Sequence, residues 1–199
     1  MNEKLAIIGA GGHGKVVGEI ALLNQYDTID FFDDRINEIE NFPFKVCGNL
    51  DQLKNNLKNY DVFFVAIGDN KTRYNYISWL KKEKNNIISL IHPKSTISQF
   101  SSIEAGSCVM ANAAVNPGAY IKEGVIINTS SSIDHDCLIE DCAHISPNCS
   151  LSGNVSVGKF THLGTGTSVH QGINIGHNVK TGVGSKVFKD IVDDKIFKD

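Results

Sequence analysis

The sequence predicts an α/β half built on a parallel sheet, followed by an all-β half built as a parallel β-helix of hexapeptide repeats. Three observations carry that prediction. Strand and helix signals alternate over residues 1–91, large aliphatic residues recur every six positions over residues 97–191, and 18 glycines stand against only 4 prolines in 199 residues. A βαβ rhythm implies parallel strands, and a period of six fits neither the 3.6 of an α-helix nor a simple meander.

In the first half, the apolar run at residues 5–8 reads as a strand entering the turn Gly9-Ala10-Gly11-Gly12-His13-Gly14. Residues 15–23 read as a helix, with Val16, Val17, Ile20 and Leu23 at helical spacing. Residues 28–32 form a second strand closed by Asp33-Asp34, and residues 62–67 a third, followed by Gly68-Asp69-Asn70. Residues 72–84 suit a helix with Tyr76, Ile77 and Leu80 on one face, and residues 87–91 a last strand.

In the second half, every sixth residue from Ile97 to Val187 is Ile, Leu or Val, with Thr181 the one exception. A second row, two residues before each aliphatic, runs Ser101, Ser107, Ala113 and on to Ser185, and every member is small or β-branched. A spacing of two puts both rows on one face of a strand. Asn112, Gly118, Gly124, Asp136, Asn148, Asn154 and Gly166 supply turn chemistry between strands. Three hexapeptides close one coil of about 18 residues, so residues 97–186 make five coils without an inserted loop.

Composition excludes several function classes. With 19 basic and 22 acidic residues the net charge is −3, which argues against a polybasic surface for nucleic acid or membrane. No run approaches the ~18 apolar residues of a membrane span. The short apolar run after Met1 leads into a glycine turn rather than a cleavage site, so a cytoplasmic location is expected. Five cysteines without a C-x-x-C motif support neither a disulfide framework nor a zinc ribbon and read as packing residues.

Gly9, Gly11 and Gly14 match G-x-G-x-x-G, and Asp33 and Asp34 lie 19 and 20 residues beyond Gly14, where an acidic residue meets a ribose in dinucleotide folds. Taken alone this pattern suggests NAD. Against it, about 90 residues are too few for both halves of a dinucleotide fold, and His13 puts a polar ring before the last glycine. His135 falls two residues after inward Ile133, at a corner, flanked by Asp134 and Asp136. A carboxylate beside an imidazole orients it and favours its protonated form, which suits a general base. His144 and His162, 18 residues apart, should stack on one outward face, while His170 and His177 read as surface residues.

These motifs, together with Ala66-Ile67-Gly68-Asp69-Asn70, Leu90-Ile91-His92-Pro93, Asn128-Thr129-Ser130-Ser131 and His135-Asp136-Cys137, resemble the bacterial sugar O-/N-acetyltransferases of the NeuD and PglD type. The resemblance spans nearly the whole chain. It implies a Rossmann-like nucleotide-sugar-binding domain over residues 1–91 and a left-handed β-helix acetyltransferase domain over residues 92–199, assembled as a homotrimer. It implies acetyl-CoA as co-substrate, no metal, and a nucleotide-linked (UDP or dTDP) 4-amino-sugar as acceptor in surface polysaccharide or glycoprotein biosynthesis. Sialic acid O-acetylation is the alternative within the class; a nucleotide- or NAD-binding module with a structural β-helix is the alternative outside it. The implied catalytic group is His135 with Asp136, Asn128 and the Gly153 N–H. The implied acetyl-CoA contacts are His144, Gly153, Thr165, Gly182 and Val183, and the implied substrate contacts are Gly9, Gly11, Gly12, His13, Asp33, Asp34, Arg35, Gly68 and Asn70. No two histidines are five apart, so the zinc site that γ-class carbonic anhydrases build on this fold is not expected. The stretch after Val187 lacks the Gly-Pro tail of the resembled family, which leaves the end of the β-helix in need of a cap.

Overall fold

A computed structural model describes residues 3–198. The chain divides into two compact units, one ending at Leu90 and the other beginning at Ile91.

The first unit holds a four-stranded parallel sheet of β1 (Lys4–Ile8), β2 (Thr28–Phe32), β3 (Val46–Gly48) and β4 (Val62–Val65), in the order β3-β2-β1-β4. Helix α1 (Gly12–Leu23) starts three residues earlier than the pattern suggested, directly in the glycine turn. Its buried face also differs from the expected one. Gly14, Val17, Gly18, Ile20 and Ala21 are buried, whereas Val16 and Leu23 are 39% and 47% exposed. The reason is close approach: a Cβ on Gly18 would sit 2.4 Å from the Phe44 ring, so small residues join Val17 and Ile20 on the face that meets the rest of the unit, and Val16 and Leu23 turn away. Helix α2 (Leu50–Lys54) escaped the sequence reading because it is a single short turn. It is set by a capping box in which the Asn49 side chain accepts from the Gln52 N–H and Gln52 accepts from the Asn49 N–H. Helix α3 (Asn70–Lys82) begins at Asn70 because Asp69 caps it, its Oδ1 accepting from the Thr72 N–H and hydroxyl at 2.9 and 2.7 Å. Ile77 and Leu80 are fully buried and Tyr76 only half-buried. The last expected strand is mostly irregular. Ile87 makes an isolated bridge to Phe63, and Leu90–Ile91 is a two-residue strand grouped with the seven-stranded sheet of the second unit.

The second unit is a parallel β-helix with sheets of five, seven and six strands. Its strands are two residues long, and pairing advances by 18 residues, as in the series Ser102, Tyr120, Leu138, Ser156 and Asn174. Both expected rows point inward: Val115, Ile121, Ile133, Ile145 and Leu163 pack with Ala113, Val125, Cys149 and Val155, each at most 1% exposed. All seven expected corner residues have positive φ. So do Ser130, Cys142 and Phe160, which carry no turn signature; there the repeat imposes the left-handed conformation against local preference. All five cysteines are free, and all but Cys47 are buried.

At the C-terminal end the period shortens. Lys180 pairs with Ile196 and Ile175 bridges Ile191, sixteen residues apart in each case. The tail thus continues the coil instead of leaving it open. Asp190 and Asp193 accept the backbone N–H groups of Asn174 and His177 at 2.8 Å, occupying donors that an exposed edge would leave bare. Among the described residues, no helix is long and apolar enough to cross a membrane.

Candidate active site and nucleotide cleft

The first unit opens a cleft of about 520 Å³ at the C-terminal ends of β1, β2 and β4. Such crevices are where open parallel sheets bind ligands. Gly9, Gly11, Gly12, His13, Asp33, Asp34, Arg35 and Gly68 all line it, joined by Leu50, Thr72 and Tyr76, which the sequence reading did not assign. The first turn of α1 has no side-chain cap and no acidic residue, so its N–H groups face the cleft with their partial positive charge.

Asp33 and Asp34 have structural duties. Asp33 accepts from the Ala10 N–H (2.9 Å) and the Arg35 N–H (2.9 Å). Burial opposes its charge, but these bonds and the Arg35 guanidinium outweigh it and hold the carboxyl below its usual range. Asp34 accepts from the Leu50 N–H at the start of α2. Asn70 is not on the cleft wall; its Oδ1 accepts from Arg73 at 2.8 Å. Arg73, fully buried, also donates to the carbonyls of Ile67 and Gly68 and so fixes the loop that forms one wall. The sequence offered no sign of it, since an Arg in an amphipathic helix ordinarily reads as solvated. His13 is half-buried as a residue, yet its Nε2 is shut off from solvent and has no hydrogen-bond partner among the described residues. Burial, reinforced by the Arg73 charge, pulls its pKa down to about 4, so it is neutral at ordinary pH.

On the β-helix, His135 occupies an outward corner with its side chain 53% exposed. Its Nδ1 lies 2.8 Å from Asp136 Oδ2. An ionised carboxylate can only accept, so the neutral imidazole carries its proton on Nδ1 and leaves Nε2 able to take another. The Asp136 hydrogen bond, with the nearby Asp134 charge, raises the pKa of His135. Asp134 accepts from the His135 N–H and from Asn116 Nδ2, fixing the corner. Asp136 reaches the ring across one peptide from a positive φ of 59°, a conformation Asp tolerates better than most residues. Gly153, one coil later, lies against the ring: a Cβ there would be 2.5 Å from both Cε1 and Nε2. Its N–H makes no hydrogen bond among the described residues.

Asn128, His144 and His162 form a second group, on the seven-stranded sheet and the corner that follows it. The Asn128 amide is 3.2 Å from His144 Nε2. The His144 and His162 rings stack at 4.4 Å with 16° between planes, as their spacing predicted. His162 is half-buried and 2.9 Å from Ser146 Oγ. His170 and His177 are exposed. His135 belongs to the next corner of the coil, beyond the strand Ser132–Ile133 of the six-stranded sheet. The two groups therefore occupy different edges of the same prism. Thr165 and Val183 are exposed, three residues past His162 and three past Lys180, which stack one and two coils beyond His144. The Gly182 N–H is already committed to the Phe197 carbonyl of the tail, so a backbone contact through that donor is closed off. Among the described residues, no group of three or more His, Cys, Asp or Glu is arranged to hold a metal ion.

Comparison with known proteins bears on both units. Residues 4–80 match the PglD N-terminal domain family. UDP-N-acetylbacillosamine N-acetyltransferase of Bacillus subtilis (strain 168) is 36% identical over 118 residues, covering 55% of this chain and 52% of that protein, so the match spans about half of that curated relative. The acetyltransferase domain of PglB from Neisseria gonorrhoeae FA1090, solved in complex with acetyl coenzyme A, is 40% identical and superposes with a TM-score of 0.94 over 100% of this chain and 97% of that one. PerB from Caulobacter crescentus, solved in complex with CoA and GDP-perosamine, is 31% identical with a TM-score of 0.92, over 98% and 94% of the two chains. The likeness runs through the glycine-loop unit and the β-helix alike, and the chain belongs to the PglD-type family of sugar acetyltransferases with a left-handed hexapeptide β-helix.

Proposed function

We propose that this protein transfers the acetyl group of acetyl-CoA to the amino group of a nucleotide-linked amino-sugar, a UDP- or dTDP-4-amino-sugar of surface glycan biosynthesis. The observation that carries the reading is the His135–Asp136 pair, held at 2.8 Å on an open corner with the imidazole resting on Gly153. The activities of the B. subtilis and C. crescentus relatives support the substrate class.

The β-helix supplies the chemistry. His135 Nε2 accepts a proton from the amine as its nitrogen attacks the thioester carbonyl. The unengaged Gly153 N–H stabilises the oxyanion that forms. When the C–S bond breaks, the protonated His135 returns its proton to the departing CoA sulfur. Asp136 holds the ring in the tautomer this requires. Because Asn128 and His144 lie on a different edge from His135, they complete the site from a neighbouring copy, which argues for a closed ring such as a homotrimer. The cleft of the first unit holds the nucleotide: the uncapped turn of α1 receives its diphosphate, and neutral His13 offers a hydrogen bond rather than a charge.

The test is thiol release from acetyl-CoA with a panel of UDP-, dTDP- and GDP-linked 4-amino-sugars, free sialic acid and NAD. Turnover confined to one UDP- or dTDP-linked amino-sugar supports the reading, and turnover confined to a GDP-linked one keeps the chemistry but overturns the choice of nucleotide. Turnover only with sialic acid, or binding of NAD without any turnover, overturns it.

A further inference from the structure

Two histidines, an asparagine and a serine make a repeated diagonal on the seven-stranded sheet. His144 Nε2 meets Asn128 Nδ2 at 3.2 Å, and one coil later His162 Nε2 meets Ser146 Oγ at 2.9 Å; both links span sixteen residues. The Asn128 amide cannot be turned round without loss, because its Oδ1 accepts the Thr129 N–H at 2.8 Å. Nδ2 is therefore the donor and His144 Nε2 the acceptor, so a neutral His144 keeps its proton on Nδ1. What the asparagine cannot set is the tilt of the ring about that bond. The stacked His162 ring does so, at 4.4 Å and 16°, and the link to buried Ser146 holds His162 in turn.

We propose that His162 is a positioning residue of the acyl-donor site: it fixes the ring plane of His144, while Asn128 fixes its tautomer. This rests on the proposed acetyltransferase reading, with His144 as the acetyl-CoA contact that the family resemblance implies. With Nε2 taken by Asn128 and Nδ1 buried, His144 offers the bound donor the surface of its ring; a mispositioned ring weakens that packing, so the effect belongs in KM for acetyl-CoA and not in the affinity for the sugar nucleotide. The flat face, not the nitrogen, does the positioning, so a phenyl ring can replace the imidazole.

The experiment compares His162→Ala, His162→Phe and His144→Ala in the full chain. His162→Ala should raise KM for acetyl-CoA about two- to tenfold, the span set by losing one stacked-ring contact, with KM for the sugar nucleotide unchanged. His162→Phe should restore most of the loss, and the ring ¹⁵N shifts of His144 should report the Nδ1–H tautomer in both variants. Thermal melts show whether either variant has lost its fold; if His162→Ala melts early, His162→Phe against the parent chain decides. An unchanged KM in His162→Ala, or a His162→Phe variant as impaired as His162→Ala, overturns the inference while His144→Ala still weakens acetyl-CoA. If His144→Ala leaves KM for acetyl-CoA unchanged, the underlying reading of the donor site fails instead.

Discussion

In the first unit the cleft is assembled from single contacts that occur once each: Asp33 on the Ala10 N–H, Asp34 on the Leu50 N–H, Arg73 on the carbonyls of Ile67 and Gly68. In the β-helix the same task falls to the repeat. His135 is placed over Gly153, and His144 over His162, because residues 18 apart are stacked by the coil itself. The difference affects how each region tolerates change. A side chain lost from the cleft takes a loop with it, whereas an outward residue lost from the coil leaves the coil in place, because the inward rows carry the stability.

The largest effect should come where the repeat holds chemistry. His135→Ala should lower kcat by ~10²–10⁴, the range for loss of a general base, with an unchanged melting temperature, measured by thiol release and calorimetry. A kcat within a few-fold of the parent would remove His135 from the mechanism. Inward, the coil should be fragile. Ile145, fully buried in the β-helix core, should cost about 2–5 kcal/mol when changed to Ala, read by denaturant unfolding; a cost near zero would mean that the two rows do not carry the fold.

The cleft should show its difference through pH. His13 is neutral in the folded unit, with a pKa near 4 against an ordinary 6.5. The unfolded chain therefore binds more protons between those values, and stability falls as pH drops from about 6.5 towards 4, by on the order of a few kcal/mol. His13→Gln should flatten that slope; an unchanged slope would place the proton uptake elsewhere. His135 shifts the opposite way. Its raised pKa delays formation of the neutral base, so kcat/KM should climb with pH above the ordinary imidazole range. Asp136→Asn should move that limb to lower pH, since the bond favouring the charged ring weakens. The smallest effect belongs to Gly153→Ala. Its Cβ would push the exposed imidazole aside, lowering kcat while the melting temperature stays put; equal activity would show that the ring has room to retreat without losing its task.

The cleft also limits what one tempting variant can say. Changing Asp33 and Asp34 together to Ala, as a probe of nucleotide affinity, would free the amides of Ala10, Arg35 and Leu50 as well. Lost binding there would report a displaced loop as readily as a lost ligand contact. Tyr76 lines the same cleft from α3 and is the cleaner probe.

The six-residue period determined the β-helix, both inward rows and the turn residues, because a burial pattern repeated sixteen times overrides local preference at each position. The glycine turn and the strand closed by Asp33-Asp34 marked the cleft, since backbone that must bend sharply needs residues that bend. Other features were decided only by tertiary structure. The buried face of α1 depends on where Phe44 arrives, the burial of Arg73 on which carbonyls lie within its reach, and the bond from His162 to Ser146 on the diagonal between neighbouring coils. Each of these joins residues with no shared period in the chain. Periodicity encodes which side of a strand faces inward, but a single contact between distant segments leaves no pattern along the sequence, and only the folded chain supplies the partner.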